Sequence, residues 1–216
     1  MVETSIVGVD ESGKGDFFGP LVIAAFAASG SDRAQLQDLG VRDSKQIADK
    51  KLVAVAARLR EALPHAVVVI PPQEYNRRWE KLRNLNKLLA EGHAEAIDLV
   101  LERVAADIAI SDKFGKAELI EGALRRRHRT VALKQLVRGE RVIQVAAASM
   151  IARAVFIEEL SGLSRKCGVL LPKGAAAQVD TAGRIVVQHH GVAYLRNVAK
   201  VHFKNYQRVV NQALFA

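Results

Sequence analysis

Two apolar segments enclose a glycine-rich turn near the start of the chain, and they constrain its fold more than any other feature. The first reads TSIVGVDE at residues 4–11, and the second reads PLVIAAFAA at residues 20–28. Short apolar runs bounded by turn residues are typical of strands buried in a sheet, and both are far too short to span a membrane. The sequence therefore predicts two interior strands joined by a tight turn.

Strand and helix patterns alternate along the rest of the chain. Further strands are predicted at HAVVVIPP, DIAISDKF and RTVALKQLVRG. Apolar residues at helical spacing predict a helix from about Asp43 and a helical region over residues 73–106 with a break around Leu85 to Asn86. They also predict a helix that ends at Arg127, a helix from Glu140 through Leu160, and a helix over residues 191–213. Strands mixed with covering helices indicate an α/β layered fold. The length of 216 residues favours one domain, 1–216.

The charge balance predicts a polyanionic partner. Lys and Arg number 32 against 23 Asp and Glu, which gives a formal net charge of +9. The single cysteine, Cys167, has no partner for an internal disulfide. With no secretory signal pattern at the N-terminus, we expect a cytoplasmic protein that does not enter a membrane.

The stretch GVDESGKGDFFGP, which begins at Gly8, nearly spells a nucleotide-binding P-loop. Gly15 stands where a P-loop carries the Ser or Thr that reaches magnesium. Asp10 and Glu11 would also face a triphosphate of the same sign, and a strand pattern follows where a P-loop requires a helix. These features favour a site in which the carboxylates themselves bind a cation.

A second strand, DIAISDKF, places Asp112 at its end, in the same context as Asp10. Carboxylates at the ends of neighbouring strands can assemble a site for magnesium or manganese, since both ions prefer oxygen ligands. Adjacent strand residues point to opposite faces, so Asp10 and Glu11 both face inward only if the strand ends or twists there. Glu140 is a further candidate, although a Glu in the first turn of a helix is also favoured by the helix dipole.

Several motifs follow one another in an order that resembles the type 2 ribonucleases H. They are GVDESGKGDFFGPLV, DSK, the strand ending in Asp112, VAAASMIAR, LPKGA and AKVHFKN. The forms DESGKGDFFGP, LPKGA and HFKN are most similar to bacterial ribonuclease HIII, with ribonuclease HII as the neighbouring alternative. Ribonuclease HIII typically has an N-terminal substrate-binding domain, and here Asp10 follows almost at once, so the resemblance covers the catalytic domain.

The resemblance implies a ribonuclease H-like fold, in which a central mixed sheet is flanked by helices and the C-terminal part is helical. It implies an endonuclease that hydrolyses the RNA strand of RNA/DNA hybrids with two divalent ions, Mg²⁺ or Mn²⁺, and leaves 5′-phosphate and 3′-hydroxyl ends. Asp10, Glu11 and Asp112 match three of the four family acids, and Glu140 is the candidate for the fourth. The alternatives are incision at single ribonucleotides in duplex DNA, as in ribonuclease HII, and a non-catalytic nucleic-acid binding module.

The same resemblance assigns residues to substrate binding. We also expect a monomeric enzyme. Gly13, Lys14 and Gly15 match the loop that contacts ribose 2′-hydroxyls, while a tight turn that needs glycine explains the same residues. Ser44 and Lys45 are placed near the nucleic acid, or at a helix cap. Ser149 is placed against phosphate, or bonds to neighbouring backbone.

Overall fold

The computed structural model describes residues 4–41 and 47–214, and its centre is a mixed five-stranded sheet. The strand order is β3-β2-β1-β4-β5. The strands are β1 (Ser5–Ser12), β2 (Leu21–Ala28), β3 (His65–Ile70), β4 (Ala106–Asp112) and β5 (Ala132–Leu136). All five were predicted from short apolar or alternating runs. β2 is buried along its whole length, as its apolar sequence requires.

Helices flank the sheet, so the predicted α/β layering is confirmed. The helices are α1 (Arg33–Asp38), α2 (Asp49–Ala62), α3 (Pro72–Leu82), α4 (Leu85–Leu101), α5 (Ala117–Arg126), α6 (Ile143–Cys167), α7 (Ala177–His190), α8 (Val192–Leu195) and α9 (Lys204–Leu214). The predicted break in the long helical region lies between α3 and α4, where Arg83 takes a left-handed conformation with φ of 45°. Asn84 then caps α4 by accepting a hydrogen bond from the Lys87 amide.

Several helices differ from the sequence prediction. Helix α2 begins at Asp49, because Ala48 before it is extended, and the proposed start at Asp43 lies outside the described residues. Helices α1 and α7 were not predicted. The region 191–213 was predicted as one helix, but residues 196–203 interrupt it between α8 and α9, and Ala199 forms an isolated antiparallel bridge with Phe18.

Glycine at position 8 lets helix α6 approach β1 closely. A Cβ atom on Gly8 would lie 2.1 Å from the backbone carbon of Gln144 and 2.3 Å from the Val145 nitrogen. The facing part of α6 is the small apolar segment VAAAS, and its residues 145–148 are buried. This small apolar segment therefore allows α6 to pack directly on the sheet.

The chain forms two compact units that are interleaved in sequence. The first contains residues 4–11, 22–41, 47–68 and 84–155, and the second contains 12–21, 69–83 and 156–214. The expectation of a single catalytic domain over 1–216 stays a prediction. Among the described residues, no helix is long and apolar enough to cross a membrane.

A buried lysine organises the loop at 16–19 in the second unit. The Nζ atom of Lys200 donates hydrogen bonds to the backbone oxygens of Asp16 at 2.9 Å and Gly19 at 2.7 Å. Lys200 is fully buried, and this burial lowers its pKa to about 7 against the opposing charge of Asp16. The ammonium group therefore satisfies the buried Gly19 carbonyl and the part-buried Asp16 carbonyl.

We expect Lys200→Met to lower the free energy of unfolding by about 2–4 kcal/mol, because the substitution removes the donor to the buried Gly19 carbonyl and the part-buried Asp16 carbonyl. Urea unfolding followed by circular dichroism measures this change, with Lys204→Met as the control at an exposed position of the same segment. Equal stability of both variants and the unsubstituted protein would show that water or a local rearrangement replaces the lysine.

Candidate active site

Asp10 and Asp112 lie at equivalent positions on two adjacent parallel strands. The last paired residues of β1 and β4 are Val9 and Ser111, so the next residue on each strand is an aspartate. Residues opposite each other on neighbouring strands share a face, and such strands lie about 4.8 Å apart. The sheet thus brings together the two carboxylates that the sequence placed at strand ends.

Asp10 and Glu11 turn toward different helices. The Asp10 carboxylate is hydrogen bonded by Ser149 of α6, whereas Glu11 contacts His93 of α4. β1 continues to Ser12, so the strand does not end at Asp10. The two acids therefore have different hydrogen-bond partners although they are adjacent in one strand.

The local environment raises the pKa of the Asp10 carboxyl group toward neutral pH. Burial and, to a smaller extent, the negative charge of Glu11 raise the pKa of Asp10 to about 6, although the Ser149 hydrogen bond opposes both effects. A carboxylate with so high a pKa gains strongly from a cation that stabilises its ionised form. Ser149, which the sequence placed against phosphate or backbone, here donates to this acid.

Glu11 is almost completely buried. Its side chain is 6% exposed, and its Oε2 atom lies 3.0 Å from Nε2 of His93, which is 0% exposed. His93 packs against the ring of Phe114, with 4.7 Å between ring centroids. The sequence analysis missed His93, although a lone histidine among the buried apolar residues of an amphipathic helix was the available signal.

Glu140 does not begin the helix that follows it. It lies in a short 3-10 turn, Gly139–Arg141, and Val142 is extended before α6 starts at Ile143. The helix predicted from Glu140 was therefore wrong at its start, and the explanation by the helix dipole does not apply. The Gly139 amide donates to Oδ1 of Asp112 at 3.0 Å, so the turn carries Glu140 to the end of β4.

Gly139 is required at this position because of its contact with β4. A Cβ atom there would lie 2.9 Å from both the Cα and the nitrogen of Asp112. The preceding residue, Arg138, has φ of 60°, a conformation that few residues other than glycine adopt. The turn is thus shaped to place its backbone against Asp112.

The donor set fits a hard divalent cation, although it does not form a complete cage. Within residues 4–41 and 47–214, no three His, Cys, Asp or Glu side chains are grouped closely enough to hold a metal ion. Magnesium commonly takes only one or two carboxylates and completes its shell with water and substrate phosphate. Asp10, with its raised pKa beside Glu11, offers the oxygen ligands and the excess negative charge that such an ion requires.

The glycines of the GKG loop differ in their structural roles. Gly13 has φ of 88°, and a Cβ atom on it would lie 2.2 Å from the Pro20 oxygen, so the turn itself requires glycine there. Gly15 has neither a positive φ nor, among the described residues, any atom within 4 Å of such a Cβ. The loop leads into β2 rather than a helix, which excludes the P-loop. Ser44 and Lys45 lie outside the described residues.

Comparison with known proteins gives one family. Residues 7–206 match the Ribonuclease HII family. The chain is 38% identical over 209 residues to "Ribonuclease HIII" of Protochlamydia amoebophila, which covers 97% of this chain and 69% of that protein. It is 40% identical over 206 residues to "Ribonuclease HIII" of Chlamydia abortus, with 94% and 69% covered.

The fold is similar to those of solved ribonuclease HIII and ribonuclease H2 structures. A crystal structure of Bst-RNase HIII in complex with Mn²⁺ superposes with a TM-score of 0.92 at 36% identity, over 99% of this chain and 71% of that one. The ribonuclease H2 of Pyrococcus horikoshii superposes with a TM-score of 0.80 at 23% identity, over 97% and 98% of the two chains, and shows the shared fold. The predicted ribonuclease H-like fold is therefore confirmed.

Proposed function

Because the chain belongs to the ribonuclease HII family, together with the ribonuclease HIII proteins that it resembles, we propose that it hydrolyses the RNA strand of RNA/DNA hybrids with divalent metal ions. The observation that carries the proposal is the pair of aspartates at equivalent positions of β1 and β4, one of which has a pKa raised by burial. A carboxylate pair in this setting suits cation binding better than general acid–base chemistry alone.

Asp10, Glu11 and Asp112 are proposed as metal ligands, with Glu140 as the fourth acid, and they are shared between two ions so that each ion takes only one or two carboxylates. A divalent ion held by these residues would make a water molecule available as the nucleophile at neutral pH and would stabilise the negative charge that develops on the phosphate and the leaving 3′-oxygen. Ser149 orients the Asp10 carboxylate by its hydrogen bond. The Gly139 amide orients Asp112 in the same way. The manganese complex of the Bst protein supports a divalent ion here.

Finer features of the proposal follow from the sequence resemblance. They are two ions per site, Mg²⁺ or Mn²⁺, product ends with 5′-phosphate and 3′-hydroxyl groups, a monomeric enzyme and a cytoplasmic location. The proposed site residues remain predictions that mutagenesis must test.

The GKG loop is proposed to contact the nucleic acid. Since neither backbone conformation nor packing within the described part of the chain requires glycine at position 15, close approach of a ligand explains that residue better than a tight turn does. Ribose 2′-hydroxyls are the groups that distinguish RNA from DNA at such a contact. Lys14 and the net charge of +9 would favour the phosphate backbone.

The test compares two labelled duplexes, a long RNA strand on DNA and an all-DNA duplex with one ribonucleotide. Each is incubated with Mg²⁺, Mn²⁺ or a chelator, using the unsubstituted protein, Asp112→Asn and Asp107→Asn. Asp107 is an exposed acid on the same strand as Asp112 and therefore provides a matched control. We expect cleavage of the long hybrid that requires metal, is lost in Asp112→Asn and is retained in Asp107→Asn.

Other outcomes separate the alternatives. Cleavage at the single ribonucleotide as well would assign ribonuclease HII-type specificity. Binding of the hybrid without cleavage of either duplex would contradict the proposal and leave a nucleic-acid binding module.

A further inference from the structure

His93 is the residue whose role the proposed function leaves unexplained. It lies in α4 among buried apolar residues, its side chain has no exposed surface, and its Nε2 atom is 3.0 Å from Oε2 of Glu11. A histidine in an apolar position is costly unless its polar atoms are hydrogen bonded. The contact with Glu11 therefore accounts for the presence of a histidine at this position.

The environment of the other ring nitrogen determines which nitrogen carries the proton. Nδ1 of His93 is buried and has no hydrogen-bond partner in the part of the chain that the structure describes. A proton on Nδ1 alone would leave a buried N–H without an acceptor and would set the Nε2 lone pair against a carboxylate oxygen. The favourable arrangement has the proton on Nε2, which then donates to Glu11.

We propose that His93 is a positioning residue for the metal site, which fixes the rotation of the Glu11 carboxylate by donating a hydrogen bond from Nε2 to Oε2. The inference rests on the proposed role of Glu11 as a metal ligand. Groups that hydrogen bond to metal ligands orient them before the ion arrives, and their loss typically weakens metal affinity or activity about 10–100-fold. The apolar packing against Phe114 holds the imidazole ring in the orientation that this bond needs.

The test measures Mn²⁺ binding directly, without nucleic acid, from the electron paramagnetic resonance signal of free Mn²⁺. We expect His93→Phe to raise the Kd for Mn²⁺ about 10–100-fold, because the apolar ring fills the space without donating. His93→Gln, whose side-chain amide can donate to Glu11, should recover most of the affinity. His202→Phe is the control, since His202 is a partly buried histidine stacked on Tyr75, and it should leave the Kd unchanged.

A second measurement uses the unsubstituted protein and so does not depend on the folding of a variant. In ¹⁵N-histidine NMR, we expect Mg²⁺ to shift the His93 imidazole signals and to leave those of His65 in place. His65 is distant in sequence and bonds to the Leu63 backbone oxygen.

The outcomes distinguish this inference from the proposed function. If the unsubstituted protein binds Mn²⁺ and folded His93→Phe binds it equally well, His93 has only a packing role and the inference fails. Unmoved His93 signals on Mg²⁺ binding would also overturn it. If the unsubstituted protein binds no Mn²⁺ and cleaves no hybrid, the proposed function itself fails.

Discussion

Replacing Asp10 by asparagine is expected to reduce hybrid cleavage at least about 1000-fold, since metal ions contribute several kcal/mol of transition-state stabilisation and about 1.4 kcal/mol corresponds to a factor of ten. Asparagine retains the shape of the side chain and can still bond to Ser149, but it lacks the charge that binds a cation. Single-turnover cleavage of a labelled hybrid in saturating Mg²⁺ or Mn²⁺ measures the loss.

The same substitution should stabilise the metal-free fold above neutral pH. The pKa of Asp10 is raised from 3.8 to about 6 in the folded protein, so the folded state holds a proton that the unfolded state has lost between these values. Stability therefore falls as pH rises through this range, by up to about 3 kcal/mol for a shift of about two units. Asp10→Asn removes this loss, so it should gain stability at pH 8 and little at pH 4.

Urea unfolding in a chelator at both pH values measures this effect, with Asp107→Asn as the exposed control. Adding Mn²⁺ at pH 8 should stabilise the unsubstituted protein more than Asp10→Asn, since a ligand that binds only the folded state shifts the unfolding equilibrium. Full activity of Asp10→Asn, or a loss of stability at pH 8, would contradict the assignment of Asp10 as a cation-binding acid whose ionised form is destabilised by burial.

Replacing Gly8 by alanine is expected to lower the free energy of unfolding by more than about 3 kcal/mol, at the upper end for overpacked interiors. The added Cβ atom would meet Gln144 and Val145 at 2.1–2.4 Å, and the atoms it meets belong to the backbone and cannot rotate away. β1 and α6 would have to separate. Because Asp10 lies on β1 and its partner Ser149 on α6, cleavage should fall together with stability.

Urea unfolding of Gly8→Ala compared with Gly122→Ala checks this expectation. Gly122 lies in α5, where an added Cβ atom would lie 3.8 Å from the ends of the flexible Arg125 and Arg126 side chains. Alanine is about 0.5–1 kcal/mol better than glycine within a helix, so Gly122→Ala should be slightly stabilising. If the free energy of unfolding of Gly8→Ala lies within about 1 kcal/mol of that of the unsubstituted protein, α6 can shift away from β1 at a smaller energetic cost than overpacking usually has.

The prediction for Glu140 shows where local pattern misleads. The run of apolar residues after it indicated a helix that begins at the glutamate, yet the helix begins at Ile143. The 3-10 turn forms because Gly139 packs on the backbone of Asp112 and donates to its carboxylate. That partner is distant in sequence, so no local pattern contains it.

The sequence by itself determined the five strands, most of the helices and the positions of Asp10 and Asp112 in two of the strands, because apolar periodicity and an isolated charge in an apolar run are local signals. The tertiary structure alone decided which helix each acid faces, that His93 contacts Glu11, and that Gly139 contacts Asp112. The His93–Glu11 contact joins residues 82 positions apart, and the Gly139–Asp112 contact joins residues 27 positions apart. They depend on strand register and on the closeness of helix and sheet, which are fixed only when the whole core packs.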